Sequence, residues 1–307
     1  MNFNEDQFLN NFKNRLNEDK SLRISGSENL FYLKKIISLI RKIIKSKGSR
    51  YKRVTDYVKS TYNTKTWKHF IDNEYWKDAK NLEEYAIHLG SYSRPKNTYQ
   101  ICLVEGHLYN ILEKDFYRYS INKQFSIIKK FVNNEDEIVE IGCGVGKRLF
   151  GLRSLGLKNK LEGYELTETG AEVCRRVNKF FKANINFQVL DVTENIDSDI
   201  FYQKTVLSIH SLEQMKYDTV KVVNNLLSGQ PKQVLHFEPV RELFKFSPRD
   251  IASILKLYYN DYQNNLLKTL RKFENDDLLT ITHVKRLGLN FNPLNETSFI
   301  RWIPNLK

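Results

Sequence analysis

From residue 138 onward the sequence alternates short β-branched runs with helical stretches, and the first run leads straight into a glycine-rich bend. Ile138-Val139-Glu140-Ile141 reads as a strand, Gly142-Cys143-Gly144-Val145-Gly146 as the bend, and residues 147–156 as a helix. Leu161-Glu162-Gly163-Tyr164 is a second strand, residues 168–182 a helix and residues 185–190 a third strand. Thr205-Val206-Leu207-Ser208-Ile209 and Gln233-Val234-Leu235-His236-Phe237 follow as strands four and five, on either side of a helix over 213–228. Ser247, Pro248 and Asp250 supply a cap, a first-turn proline and an acid for a helix that runs to residue 273. Residues 278–286 and 297–303 read as two closing strands joined by an Asn/Pro turn. This regular alternation of strands and helices argues for a parallel sheet with helical crossovers, so the fold class expected is α/β.

The first 137 residues have a different texture. Residues 1–20 read as a polar helix and Ser25-Gly26-Ser27 as a break. Leu30, Phe31, Leu33, Ile36, Ile37, Ile40, Ile43 and Ile44 then recur at helical spacing, with Ser27 as cap and Gly48 as stop. Residues 54–90 and 103–132 also read as helical, with a loop over 90–95.

Charge is concentrated here. The chain carries 49 Lys and Arg against 36 Asp and Glu, a net +13, and residues 28–53 hold nine basic side chains and one acid, Glu28. Basicity this local argues against a nucleic-acid surface spread over the whole protein. The helix over 28–47 sets Lys34, Lys35, Arg41, Lys42, Lys45 and Lys47 around an isoleucine-rich stripe. Such a helix suits an anionic lipid interface, or else it buries its apolar face in the N-terminal domain or a homodimer partner. Cys102, Cys143 and Cys174 form no CxxC pair, so neither structural zinc nor a disulfide framework is expected. The N-terminus lacks the pattern of a signal peptide and no run is long and apolar enough to span a bilayer. A cytoplasmic protein is expected, with peripheral contact at the inner membrane face if residues 28–47 bind lipid.

Strand, Gly-x-Gly-x-Gly and helix together let a backbone approach a ligand closely. The bend is not a Walker loop, because Ile141 stands where GxxxxGK needs glycine, and its third glycine comes one residue early for a dinucleotide fingerprint. Glu140 at its root suits a ligand with a cationic end. S-adenosylmethionine has an ammonium, a carboxylate and a sulfonium but no pyrophosphate, and helix N-terminal amides can take its carboxylate.

Val139-Glu140-Ile141-Gly142-Cys143-Gly144-Val145-Gly146, with Glu165 and Asp191-Val192 at the next two strand ends, resembles the class I (Rossmann-like) S-adenosylmethionine-dependent methyltransferases. The resemblance covers residues 138–303. It implies a Rossmann-like, mostly parallel seven-stranded sheet whose last strand is antiparallel, in a domain over 126–307. An α-helical N-terminal or cap domain over 1–125 precedes it. By the same resemblance Glu140, Gly142, Cys143, Gly144 and Gly146 hold the amino-acid end of the cofactor, with Cys143 as a small residue that fits the bend. Glu165 takes both ribose hydroxyls, Asp191 the exocyclic amine of adenine, and Val192 offers its backbone amide.

Ligands of open parallel sheets lie beyond the carboxyl ends of the strands, so acceptor-handling residues are sought after strands four and five. His210 has the intrinsic pKa of a general base, and Glu213, three residues on, can orient it; packing against the cofactor is the other reading of His210. Glu238, ending strand five, either binds substrate hydroxyls or stabilises its loop. His236 and His283 read as structural, and one His-x-x-Glu pair is too little for a metal. Tyr117, Arg118, Tyr119 and Arg94 are candidates to reach over the cofactor or bind an anionic acceptor.

No Asn/Asp-Pro-Pro-Tyr/Phe segment follows strand four, which removes the amino methylators of adenine, cytosine and glutamine, and no Pro-Cys motif of cytosine C5 methylation is present. Residues 292–302 resemble the closing hairpin of bacterial methyltransferases assigned to sugars or polysaccharides. The expectation is O-methylation of a sugar hydroxyl on a nucleotide sugar or surface polysaccharide, a small-molecule or glycan acceptor. The alternatives are an RNA methyltransferase that uses the basic segment on phosphates, and a non-catalytic module that binds cofactor without turnover.

Overall fold

The computed structural model describes residues 5–19, 21–24, 27–46, 60–88, 98–262 and 265–305. The expected break at Ser25-Gly26, the stop at Gly48, the loop over 90–95, Lys47 and Arg94 lie outside the described residues.

Seven strands form the main sheet: β3 (Ile138–Ile141), β4 (Leu161–Glu165), β5 (Ile185–Val189), β6 (Thr205–Ile209), β7 (Gln233–Glu238), β8 (Leu279–Leu289) and β9 (Thr297–Pro304). Their order is β5-β4-β3-β6-β7-β9-β8. The β3–β7 pairings are parallel, and β9 runs antiparallel to both β7 and β8. This is the Rossmann-like, mostly parallel sheet with an antiparallel last strand. Consecutive residues of the central strands enter opposite layers of the core. Ile138, Leu207 and Leu235 join one hydrophobic cluster, and Val139, Val206 and Val234 the other. A sheet buried on both faces needs that two-sided apolar run, which explains why these strands lack a polar face.

The helices named next flank or precede the sheet: α1 (Glu5–Glu18), α2 (Glu28–Lys45), α3 (Lys68–Asn73), α4 (Leu82–His88), α5 (Glu113–Ile128), α6 (Lys147–Ser154), α7 (Glu168–Phe181), α8 (Thr219–Ser228), α9 (Pro248–Tyr259) and α10 (Leu266–Asn275). Two start as their sequences dictate. Thr167 caps α7 by accepting from the Gly170 amide, and Ser247 caps α9 by accepting from Asp250, with Pro248 in the first turn.

Four expectations need correction. Residues 103–132 do not form one helix. Tyr99–Val104 and His107–Leu112 pair as an antiparallel hairpin, β1 and β2, and only then does α5 begin. Its turn is Glu105-Gly106, both at positive φ (48° and 83°), the geometry a two-residue hairpin turn requires. The helix over 54–90 is broken among its described residues into a π-turn at Tyr62–Thr66, α3, a 3-10 turn at Tyr75–Asp78 and α4. The helix expected over 213–228 starts only at Thr219, because Leu212–Gln214 close a 3-10 turn first. The helix expected to reach residue 273 stops at Tyr259 and resumes at Leu266.

Helix α2 packs through Tyr32 and Leu39 against Leu103 and Leu108 of the hairpin and Ala252 of α9. Arg286 of β8 locks the same side of the molecule: it pairs with Asp250 of α9 at 2.7 Å and with Glu296. Among the described residues no helix is long and apolar enough to cross a membrane.

Candidate active site

The bend after β3 is shaped by what surrounds it. Gly142 takes φ +64°, and a Cβ there would stand 2.6 Å from the Ser211 Cβ, so only glycine fits. The Cys143 amide donates to the Tyr164 carbonyl at 3.0 Å, the Gly146 amide closes back on Cys143, and the Cys174 thiol reaches the Gly144 carbonyl at 3.3 Å. These bonds fix the loop against β4 and α7 and leave Gly142 and Gly144 facing a cleft.

That cleft, its open mouth included, holds about 690 Å³ of space at the carboxyl ends of β3, β4, β5 and β6. Among the predicted residues, Gly142, Gly144, Glu165, Asp191 and Val192 line it. Ile141, Tyr164, Leu166, Leu190 and Met215 add apolar wall, and Thr167, Thr193, Ser211 and Gln214 add polar groups.

The outer wall comes from residues the sequence reading passed over, Tyr62 and Trp67. The Trp67 indole N–H donates to Glu165 Oε1 at 3.2 Å and the Tyr62 hydroxyl to Gln214 Oε1 at 2.7 Å, tying the N-terminal segment across to β4 and the β6 loop. The only available hint was the density of Tyr and Trp over 54–90.

Glu165 is held by several donors. Besides Trp67, its Oε1 accepts from the Thr167 amide at 3.3 Å and the Thr167 hydroxyl at 2.7 Å, and its Oε2 accepts from the Gly144 amide at 2.9 Å. Burial nevertheless lifts its pKa above the ordinary carboxylate value, with these donors acting the other way. Asp191 Oδ1 accepts from the Thr193 amide and hydroxyl at 2.9 and 2.6 Å, a local turn that fixes the residue as β5 ends.

Glu140, Cys143 and Gly146 do not line the cleft. Cys143 points inward, a buried thiol whose pKa burial pushes well up. Glu140 is buried under the bend, and its Oε2 has no hydrogen-bond partner among the described residues. Burial raises its carboxyl to about 8, against the pull of nearby Arg148.

His210 and Glu213 do meet, with Nδ1 3.1 Å from Glu213 Oε2. His210 sits just past β6 at φ +54°, a left-handed position that costs a non-glycine residue energy and is common at functional sites. Its Nε2 is engaged as well, 2.7 Å from the Thr297 hydroxyl and 3.2 Å from Asn290 Nδ2. Asn295 donates to the same Glu213 oxygen at 2.9 Å. The closing hairpin thus builds half of this cluster, and none of its three contributors was singled out from sequence. Burial pulls the His210 pKa down, but Glu213 and Glu238 outweigh it and the net direction is up.

Glu238 serves its loop. It accepts from the Ser211 amide at 3.0 Å, the Leu212 amide at 3.1 Å and the Glu213 amide at 3.3 Å, and burial lifts its carboxyl to about 7. Arg118 lies elsewhere, paired with Glu83 at 2.9 Å beside Lys80, Glu84 and Lys114. His236 is interior and neutral, bonded to Ser208 and Trp302, with its pKa down at about 3 from burial.

No protein-family model and no curated protein matches the chain. Solved structures do. Magnesium protoporphyrin IX methyltransferase from Synechocystis PCC 6803, with bound S-adenosylmethionine, superposes with a TM-score of 0.50 at 12% identity, covering 83% of this chain and 99% of that one. The same enzyme with bound S-adenosylhomocysteine gives 0.50 at 12% identity over 81% and 99%. At such identity the likeness shows the fold alone.

Proposed function

We propose that the chain is an S-adenosylmethionine-dependent methyltransferase acting on an oxygen acceptor, a hydroxyl of a nucleotide sugar or glycan. The observation that carries the cofactor assignment is the convergence, in one cleft at the strand ends, of Gly142, Gly144, Glu165, Asp191 and Val192. The residues fit the group. Its apolar wall suits a nucleoside base, its acids suit a diol and an amine, and the unpartnered Glu140 oxygen under the bend is a buried acceptor, protonated at neutral pH, that a cationic amino group beside it would draw into the ionised form.

Bound there, the cofactor supplies an electrophilic methyl group on a sulfonium. This chain's part is to hold and orient it and to manage the acceptor's proton. Glu165 and Asp191 hold the two ends of the nucleoside, and the exposed backbone at Gly142 and Gly144 allows its close approach. His210, with Nδ1 directed to Glu213, presents Nε2 as the proton acceptor once a hydroxyl takes the place of Thr297. The sugar acceptor is supported by the resemblance at residues 292–302 and by a base that an oxygen acceptor requires.

The test is calorimetry with S-adenosylmethionine and S-adenosylhomocysteine, followed by labelled methyl transfer into fractionated glycan, RNA and small-molecule pools. Asp191→Ala should abolish measurable cofactor binding, and His210→Ala should lower turnover by about a hundredfold or more while sparing affinity. An intact protein that gives no heat with either nucleoside ends the cofactor reading. Near-wild-type turnover in His210→Ala at neutral pH moves the base elsewhere.

A further inference from the structure

Helix α2 has more apolar surface than its own protein covers. Its packed face carries Tyr32 and Leu39, with Ile36 partly buried beside them. Five other aliphatics, Leu30, Leu33, Ile37, Ile40 and Ile44, are each between 42% and 56% exposed. Their spacing alternates three and four residues, and at 100° per residue they span about 80° of arc next to the packed face. On the far side of the stripe come Arg41, Lys34 and Lys45, all exposed, with Lys42 and Lys35 beyond them.

We propose that this stripe is a docking surface for an anionic lipid bilayer, with α2 lying in the plane of the interface. The inference is independent of the methyl-transfer reading. An interface of aliphatic tails beneath anionic headgroups matches both halves of the pattern, because the stripe enters the acyl boundary while the cations beside it stay at headgroup level.

Other occupants fit only one half. A second copy of the chain would cover the aliphatics but would align Lys34, Arg41 and Lys45 against themselves. Residues 47–55 carry Lys47, Arg50, Lys52 and Arg53 and no acid, so laying that segment on the stripe would add cations to cations. RNA would answer the charge and leave five aliphatics in water.

Flotation of the full-length protein tests the proposal. Vesicles of equimolar phosphatidylcholine and phosphatidylglycerol should bind it about a hundredfold more tightly than phosphatidylcholine alone, and salt should weaken the binding. The double variant Ile37→Glu/Ile44→Glu and the charge variant Lys34→Glu/Arg41→Glu should each lose it. Both should keep the wild-type circular dichroism spectrum and melting temperature, since all four side chains are exposed. The proposal is overturned if no vesicle binds, if neutral and anionic vesicles bind equally, or if either variant floats like wild type while folded. It is also overturned if sedimentation shows a dimer that Ile37→Glu/Ile44→Glu dissociates without any vesicle binding, or if an RNA homopolymer binds and vesicles do not.

Discussion

Glu140→Gln separates the energetic cost of the acid under the bend from its use. Glu140 is 2% exposed, and its carboxyl is raised from 4.5 to about 8, chiefly by burial. In the unfolded chain the same group titrates at its ordinary value. Between those two pH values the folded protein keeps a proton that the unfolded chain has released. Stability therefore falls as pH rises, by about 1.4 kcal/mol per pH unit for this one group. Its contribution is fully present below 4.5, is lost progressively up to about 8, and is constant above that. Integrated from about pH 5 to pH 7, the loss is roughly 2–3 kcal/mol.

Glutamine keeps the shape and has no such proton to lose, so the cofactor-free variant should escape that part of the pH dependence. At pH 7 it should be the more stable protein by up to about 3 kcal/mol, reduced by whatever its amide leaves unbonded. Glu165 and Glu238 are also raised and are present in both proteins, but each couples to Glu140, so they cancel in the difference only in part. Urea midpoints of wild type and variant between about pH 5 and pH 8 measure it directly. Parallel curves would refute burial of an ionisable carboxyl as the cause. In the same variant S-adenosylmethionine affinity should fall by about tenfold or more at and above about pH 8, where wild-type Glu140 is ionised and glutamine cannot supply the carboxylate that answers the ammonium. Undiminished affinity would leave Glu140 a structural acid.

Two other substitutions probe the cleft walls. Gly142→Ala should destabilise the protein by about 2–4 kcal/mol in denaturant titration and remove cofactor binding, because it adds a side chain at positive φ and pushes Ser211 off its place beside Glu238; a wild-type midpoint would show that the loop yields freely. Trp67→Ala should weaken S-adenosylhomocysteine binding by about tenfold in calorimetry. In the wild type, cofactor should alter tryptophan emission through Trp67, since Trp76 and Trp302 are buried and do not line the cleft, and binding heat without any emission change would contradict that position.

What was legible in the sequence was whatever the backbone imposes. The parallel strands show as apolar runs because both faces are covered, and the bend shows because Gly142 has no room for a Cβ. The β1–β2 hairpin was missed because Glu105-Gly106 is a quiet turn signal between runs that also suit a helix, and an apolar run of six residues has no period long enough to decide. The break after Tyr259 was missed for a related reason: a good cap at Ser247 marks where a helix starts and says nothing of where it ends. For the site, the strand-end acids were readable because position along a strand determines which end of the sheet they occupy. Thr297, Asn290 and Asn295 were not, since they reach the His210–Glu213 pair only through the return from β8 to β9, across 80 to 87 positions of sequence.

Trp67 illustrates a further kind of illegibility, and it bears on how the cleft works. Glu165 Oε1 already has three donors, two from Thr167 and one from Trp67. An oxygen with two lone pairs cannot add a ribose hydroxyl without releasing one of them. The Thr167 bonds belong to the turn that starts α7, so giving them up would unseat the helix cap. The indole bond is long and comes from a segment that no strand of the main sheet includes. Holding a nucleoside diol with both oxygens of Glu165 therefore means shifting Trp67, and with it the Tyr62–Gln214 tie. Any preference the N-terminal segment has for one acceptor would then be coupled to whether cofactor is bound. An aromatic side chain can do this by bulk and one N–H alone, which is why no motif marks it.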